Sequence, residues 1–149
     1  MKVPVVVLVL LCWSCGSTPS VQGKWYSYSD NGDYQELWLS ENRALSYLTV
    51  IDKMLLYEYS QVGDSLKFNL IESDVYDSHE FILRIKDMEE NLLISEFISG
   101  DRIDTLKTYF RISAEPILIP DQLQNCLLFR NEIVARESAG GQSHEGHNH

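Results

Sequence analysis

An all-β domain, an up-and-down antiparallel barrel of about eight strands followed by an α-helix, is predicted by three features of the sequence. Short apolar-rich segments recur roughly every ten residues between Val21 and Ser113. Turn residues separate them, and within them apolar and polar side chains alternate with period two. No connection is long enough for a crossover helix, so successive strands are expected to pair antiparallel. Such a meander has two exposed edges unless its first and last strands meet, and closure removes both.

The chain begins before that domain with Lys2, an apolar run from Val3 to Leu11, and then Trp13-Ser14-Cys15-Gly16-Ser17. An apolar run of about nine residues falls short of the roughly 20 that a membrane-crossing helix needs, so residues 1–14 are expected to be a signal peptide. A small residue just before a cysteine resembles the bacterial lipoprotein signal, in which that cysteine becomes the lipidated first residue. The resemblance implies acylation of Cys15 and attachment to a lipid membrane of the bacterial cell envelope. Gly16, rather than aspartate, after the cysteine resembles sorting to the outer membrane, facing the periplasm. A plain secretory signal cut after Ser17 shares the same cues. Residues 15–20 read as a polar linker.

The strands are expected at Lys24–Ser29, Tyr34–Leu39, Leu45–Ile51, Leu55–Ser60, Ser65–Glu72, Glu80–Ile85, Leu92–Ile98 and Ile103–Ile112. Their breaks include Asp30-Asn31-Gly32-Asp33, Gly63-Asp64 and Ser99-Gly100-Asp101, all rich in turn formers. Leu66, Phe68 and Leu70 share one face, as do Phe81, Leu83 and Ile85, and as do Leu106, Phe110 and Ile112. Residues 21–113 thus form the barrel. Residues 114–141 follow as an extended segment through Pro116 and Pro120 and then a helix. Asp121 stands where an N-cap belongs, with Gln124 three residues on in a capping-box arrangement. Leu123, Leu127, Ile133 and Val134 line one helical face, beside Cys126, and are expected to pack on the outside of the barrel. Residues 142–149 form a histidine-containing tail of disordered composition.

Gly23-Lys24-Trp25 opens the first strand, and Arg111 lies near the end of the eighth. This pairing resembles the lipocalins, closest to the small lipocalin-like lipoproteins of bacteria, whose Gly-x-Trp signature begins the barrel and whose last strand brings a basic residue across that tryptophan. The resemblance spans Val21 to about Glu137 and implies a barrel that binds or carries a small apolar ligand. Physical chemistry supports the contact independently, since a guanidinium on an indole face gains about 0.5–2 kcal/mol. Alternation places Arg111 opposite Phe110 and Ile112, so it is expected outside the apolar interior, closing the floor from beyond.

The expected ligand-facing set is Leu66, Phe68, Leu70, Phe81, Leu83, Ile85, Leu106 and Phe110. Tyrosines at 26, 28, 34, 47, 57, 59, 76 and 109 supply hydroxyls that can orient a ligand, although tyrosine is also simply favoured in strands. A net charge of −10 disfavours nucleic acid and anionic lipid surfaces. The same charge leaves open an acidic interaction module that docks a basic envelope protein, as an inhibitor or assembly factor. His144, His147 and His149 in the tail form a weak metal-capture set while neutral. Cys126 stays unpaired once Cys12 leaves with the signal and Cys15 carries lipid, and it is expected to be a buried small hydrophobe. No Gly-x-Ser-x-Gly, His-Glu-x-x-His or phosphate-binding glycine loop occurs, and the Cys-x-x-Cys of Cys12 and Cys15 straddles the expected processing site, so neither catalysis nor a bound cofactor is expected.

Overall fold

A computed structural model describes residues 19–141. Residues 1–14, the Cys15 acylation site and the set His144, His147 and His149 lie outside the described residues. The strands β1 (Gly23–Tyr28), β2 (Tyr34–Leu39), β3 (Arg43–Leu48), β4 (Lys53–Val62), β5 (Ser65–Glu72), β6 (Glu80–Met88), β7 (Leu92–Ser99) and β8 (Arg102–Ser113) follow the predicted series. All neighbours are antiparallel and β8 returns to β1, which makes a closed eight-stranded barrel. Residues Thr49–Ile51, expected to continue the third strand, instead form a 3₁₀ turn that ends on Asp52 in the left-handed conformation (φ 51°). A turn is needed there because β3 and β4 pair from Leu48 and Lys53 onward, and the chain must reverse between them.

Two apolar cores result, one on each side of the sheet. Alternation sends Trp25, Leu37, Leu55, Tyr57, Phe68, Phe81, Leu83 and Leu93 into the barrel. The other parity of β2, β3 and β4 sends Tyr34, Trp38, Leu45, Tyr47 and Leu56 outward, where Ile119, Leu123, Cys126 and Ile133 cover them. The C-terminal segment therefore packs on the outer wall, and Cys126 is fully buried there.

Its detail departs from expectation. The helix is interrupted: α1 (Leu123–Cys126) passes through a 3₁₀ turn at Leu127–Phe129 into α2 (Arg130–Gly141). Leu127, expected on the apolar face, is half exposed because the turn rotates it away. Asp121 does not cap. It pairs with Arg43 at 3.3 Å, and the Leu123 N–H donates instead to Glu72 Oε2 of β5 at 2.7 Å. No helix among the described residues is long and apolar enough to cross a membrane.

Candidate functional site

The two ends of the barrel differ. At one end β1 begins, and Trp25 is wholly buried with its indole N–H donating to the Val21 carbonyl at 2.8 Å. Gly23 is required by its surroundings: its φ is +130°, and a Cβ would meet the Ser113 carbonyl oxygen at 2.4 Å. The Arg111 guanidinium lies 4.1 Å from the Trp25 ring centroid. Its nitrogens donate to the carbonyls of Gln22 (3.0 Å) and Ser20 (2.6 Å), which fixes the incoming chain across this floor. Burial lowers the Arg111 pKa from its ordinary value.

Arg111 corrects the expectation about parity. It pairs in register with Trp25, and cross-strand partners share a face, so Arg111 stands on the inner wall. The inward residues of β8 are then Lys107, Tyr109 and Arg111. Leu106 and Phe110, expected inside, point outward and are 60% and 41% exposed. Phe110 packs there against Tyr26 at 5.4 Å, beside Tyr28 and Tyr34, so an outer aromatic patch supplied the apolar residues that suggested the other parity. Leu66, Phe68, Phe81 and Leu83 are buried in the interior core, with Leu70 and Ile85 packed against it.

Between floor and mouth the interior holds a column of rings. Tyr59 stacks on Phe68 (5.5 Å), Phe68 on Phe81 (4.4 Å, 5° between planes) and Phe81 on Phe97 (5.0 Å). The column crosses β4 to β7, from Tyr59 in the floor half to Phe81 and Phe97 near the mouth. Above it the β5–β6 connection folds over the mouth, with Tyr76 stacked on His79 at 5.6 Å. In the tautomer that carries its proton on Nε2, His79 accepts the Tyr57 hydroxyl at Nδ1 over 3.1 Å. Burial lowers the His79 pKa and raises that of Tyr57, so both are neutral around pH 7.

Beside the column a cavity of about 200 Å³ opens at the mouth. Leu37, Leu48, Leu55, Phe81 and Phe97 make its apolar side, and Gln35, Ser46, Lys107 and Tyr109 add polar groups. The Lys107 ammonium sits 4.9 Å over the Phe97 ring. No protein-family model, curated protein or solved structure matches the chain. The site must be read from its own geometry. Among the described residues no group of three or more His, Cys, Asp or Glu is placed to hold a metal ion.

Sequence reasoning missed two features. Glu36 has a side chain 0% exposed, yet it carries a carboxylate. Tyr34 O–H and Trp38 Nε1–H donate to it at 2.5 and 2.6 Å, and Arg136 grips both oxygens at 2.8 Å each. Arg136 also reaches Glu132, which pairs with Lys24, so α2 is stitched to β1 and β2 by a chain of charges. Burial works against the Arg136 charge, but its bonds to Glu36 and Glu132 outweigh that and hold its pKa above the ordinary value. The signal was an acidic residue between Tyr34 and Trp38 on one face. The second miss is Lys107, whose inward position follows only once the parity of β8 is known.

Proposed function

We propose that the chain is a lipocalin-like lipoprotein of the bacterial envelope, anchored through Cys15, whose barrel holds a small apolar ligand in its mouth. The observation that carries this reading is the cavity of about 200 Å³ between the aromatic column and β2, β3 and β8. It exceeds the roughly 150 Å³ engineered cavity known to take benzene and falls below the roughly 300–1,000 Å³ of sites for drug-sized molecules. The fitting ligand is therefore a single ring or a short chain, not a sterol or a tetrapyrrole. The Gly23-Lys24-Trp25 opening and the Arg111 contact support the family resemblance.

A second reading, docking of a basic envelope protein, draws support from the exposed carboxylates Asp30, Asp52, Asp74, Asp77 and Asp101 in the connections around the mouth. Native mass spectrometry of protein from its own host separates the two. A co-purifying mass of small-molecule size, lost in Leu48→Trp, is the expected result. The bare protein mass together with a stoichiometric protein partner would favour docking instead.

A further inference from the structure

We propose that the mouth cavity takes a small uncharged aromatic ring bearing a hydroxyl, and that Gln35 of β2 and Ser46 of β3 seat that hydroxyl. The inference rests on the binding reading above and narrows it to a ligand class.

Closure of the barrel sets two unlike walls across from each other. In a ring of eight strands, β2 and β3 stand opposite β6 and β7. Gln35 shares the inward parity of Leu37 and Leu39, and Ser46 shares that of Ala44 and Leu48. Register pairs Gln35 with Leu48 and Leu37 with Ser46, so Gln35 and Ser46 are diagonal neighbours within reach of one ligand group. Both are half-buried and line the cavity, and neither side chain has a hydrogen-bond partner among the described residues. A primary amide and an alcohol each donate and accept. The pair therefore suits a ligand group that does both, and a hydroxyl is the smallest that does.

The opposite wall is aromatic. Strand order puts Phe81 between Phe68 and Phe97, stacked on both at 4.4 and 5.0 Å, and the Lys107 ammonium lies 4.9 Å over Phe97. With those faces covered, Phe81 and Phe97 offer the cavity their edges. A ring edge is partly positive and favours the face of another ring, so an aromatic body fits this wall better than an alkyl chain. A volume of about 200 Å³ limits that body to one ring.

The lining also argues against a charged ligand. Glu36 turns both carboxylate oxygens to Arg136, Tyr34 and Trp38 on the outer face. Neutral His79 accepts the Tyr57 hydroxyl, and burial keeps Tyr57 and Tyr109 protonated. Lys107 is engaged with a partner of its own. An ion entering here would lose water without gaining a free counter-charge, which is costly.

The test titrates the purified protein calorimetrically at pH 7.5 with p-cresol, toluene and 4-methylbenzoate, which share one ring and differ in the group it carries. p-Cresol is expected to bind roughly tenfold tighter than toluene, and at least roughly tenfold tighter than the benzoate. Ser46→Ala combined with Gln35→Met should bind p-cresol and toluene alike, with toluene affinity unchanged. Equal binding of p-cresol and toluene by the unmutated protein, or a preference intact in the folded double variant, overturns the hydroxyl seat. A benzoate bound as tightly as p-cresol overturns the uncharged class. Each of those results leaves small-ligand binding standing, whereas absence of binding by all three, with no shift in Tm, overturns both readings. Should the double variant not fold, Ser46→Ala alone is expected to lessen the preference, and an unchanged ratio rejects the seat.

Discussion

Trp25 and Arg111 are the two residues whose contact makes the sharpest test of the floor. Trp25→Ala removes a fully buried indole and is expected to cost about 3–5 kcal/mol in urea unfolding. Arg111→Ala should cost less, and the two losses should fall short of additive because the ring and guanidinium are in contact. Additive losses would reject the contact. His79 yields a pH prediction. Its folded pKa lies below the ordinary 6.5, so the unfolded chain takes the proton first as pH falls. The stability contributed by neutral His79 is therefore whole above 6.5 and drains as pH drops through that value toward the folded pKa. The difference in urea midpoint between wild type and His79→Asn should shift across that window and stay flat from pH 7 to 8. At this scale the sequence was half legible. Phe68 and Phe81 were readable as interior from strict alternation, and Trp25 as a floor residue from the Gly23-Lys24-Trp25 opening. β8 was not, because Leu106, Phe110 and Ile112 offered an apolar face that belongs to the outside. Packing Arg111 on an inward tryptophan, taken as a constraint, would have placed Lys107 and Tyr109 inside.

The charged stitch between α2 and the barrel decides whether the C-terminal segment stays down. Arg136→Met would leave the Glu36 carboxylate buried without its cation, a change that typically costs about 3–5 kcal/mol. Glu36→Gln with Arg136→Met should recover much of that loss, since the uncompensated charge goes with the partner. Urea unfolding of the single and double variants checks the ordering, and a double variant as unstable as Arg136→Met would reject it. Legibility again split by range. The helix was readable from the prolines, the apolar spacing and the terminal glycines. Its cap was not, because the acceptor for Leu123 N–H comes from Glu72, and no local pattern reports a partner supplied by another strand. Glu36 was hidden for a related reason. A polar residue within a strand reads as solvated unless both faces of the sheet are covered, and β2 is covered on both.

For the whole molecule, closure of eight antiparallel strands was legible because turn spacing and edge exposure leave few alternatives. Whether the interior was filled was not, since that depends on how rings stack across strands distant in sequence. Attachment gives the last prediction: Cys15→Ala should move the protein from the membrane fraction to a soluble or unprocessed form. Fractionation identical to wild type would rule out acylation at that residue. The direction of attachment has a further bearing on supply. Arg111 pins the carbonyls of Ser20 and Gln22 across the closed floor, and Cys15 lies five residues before Ser20, at most roughly 18 Å of extended chain. Under the proposed acylation of Cys15, a barrel moored by that end would stand on the bilayer like a cup on its base, with the rim turned to the aqueous compartment. The proposed ligand would then arrive through water rather than by lateral diffusion out of the lipid. Compounds soluble enough to make that crossing unaided would gain most from such a posture.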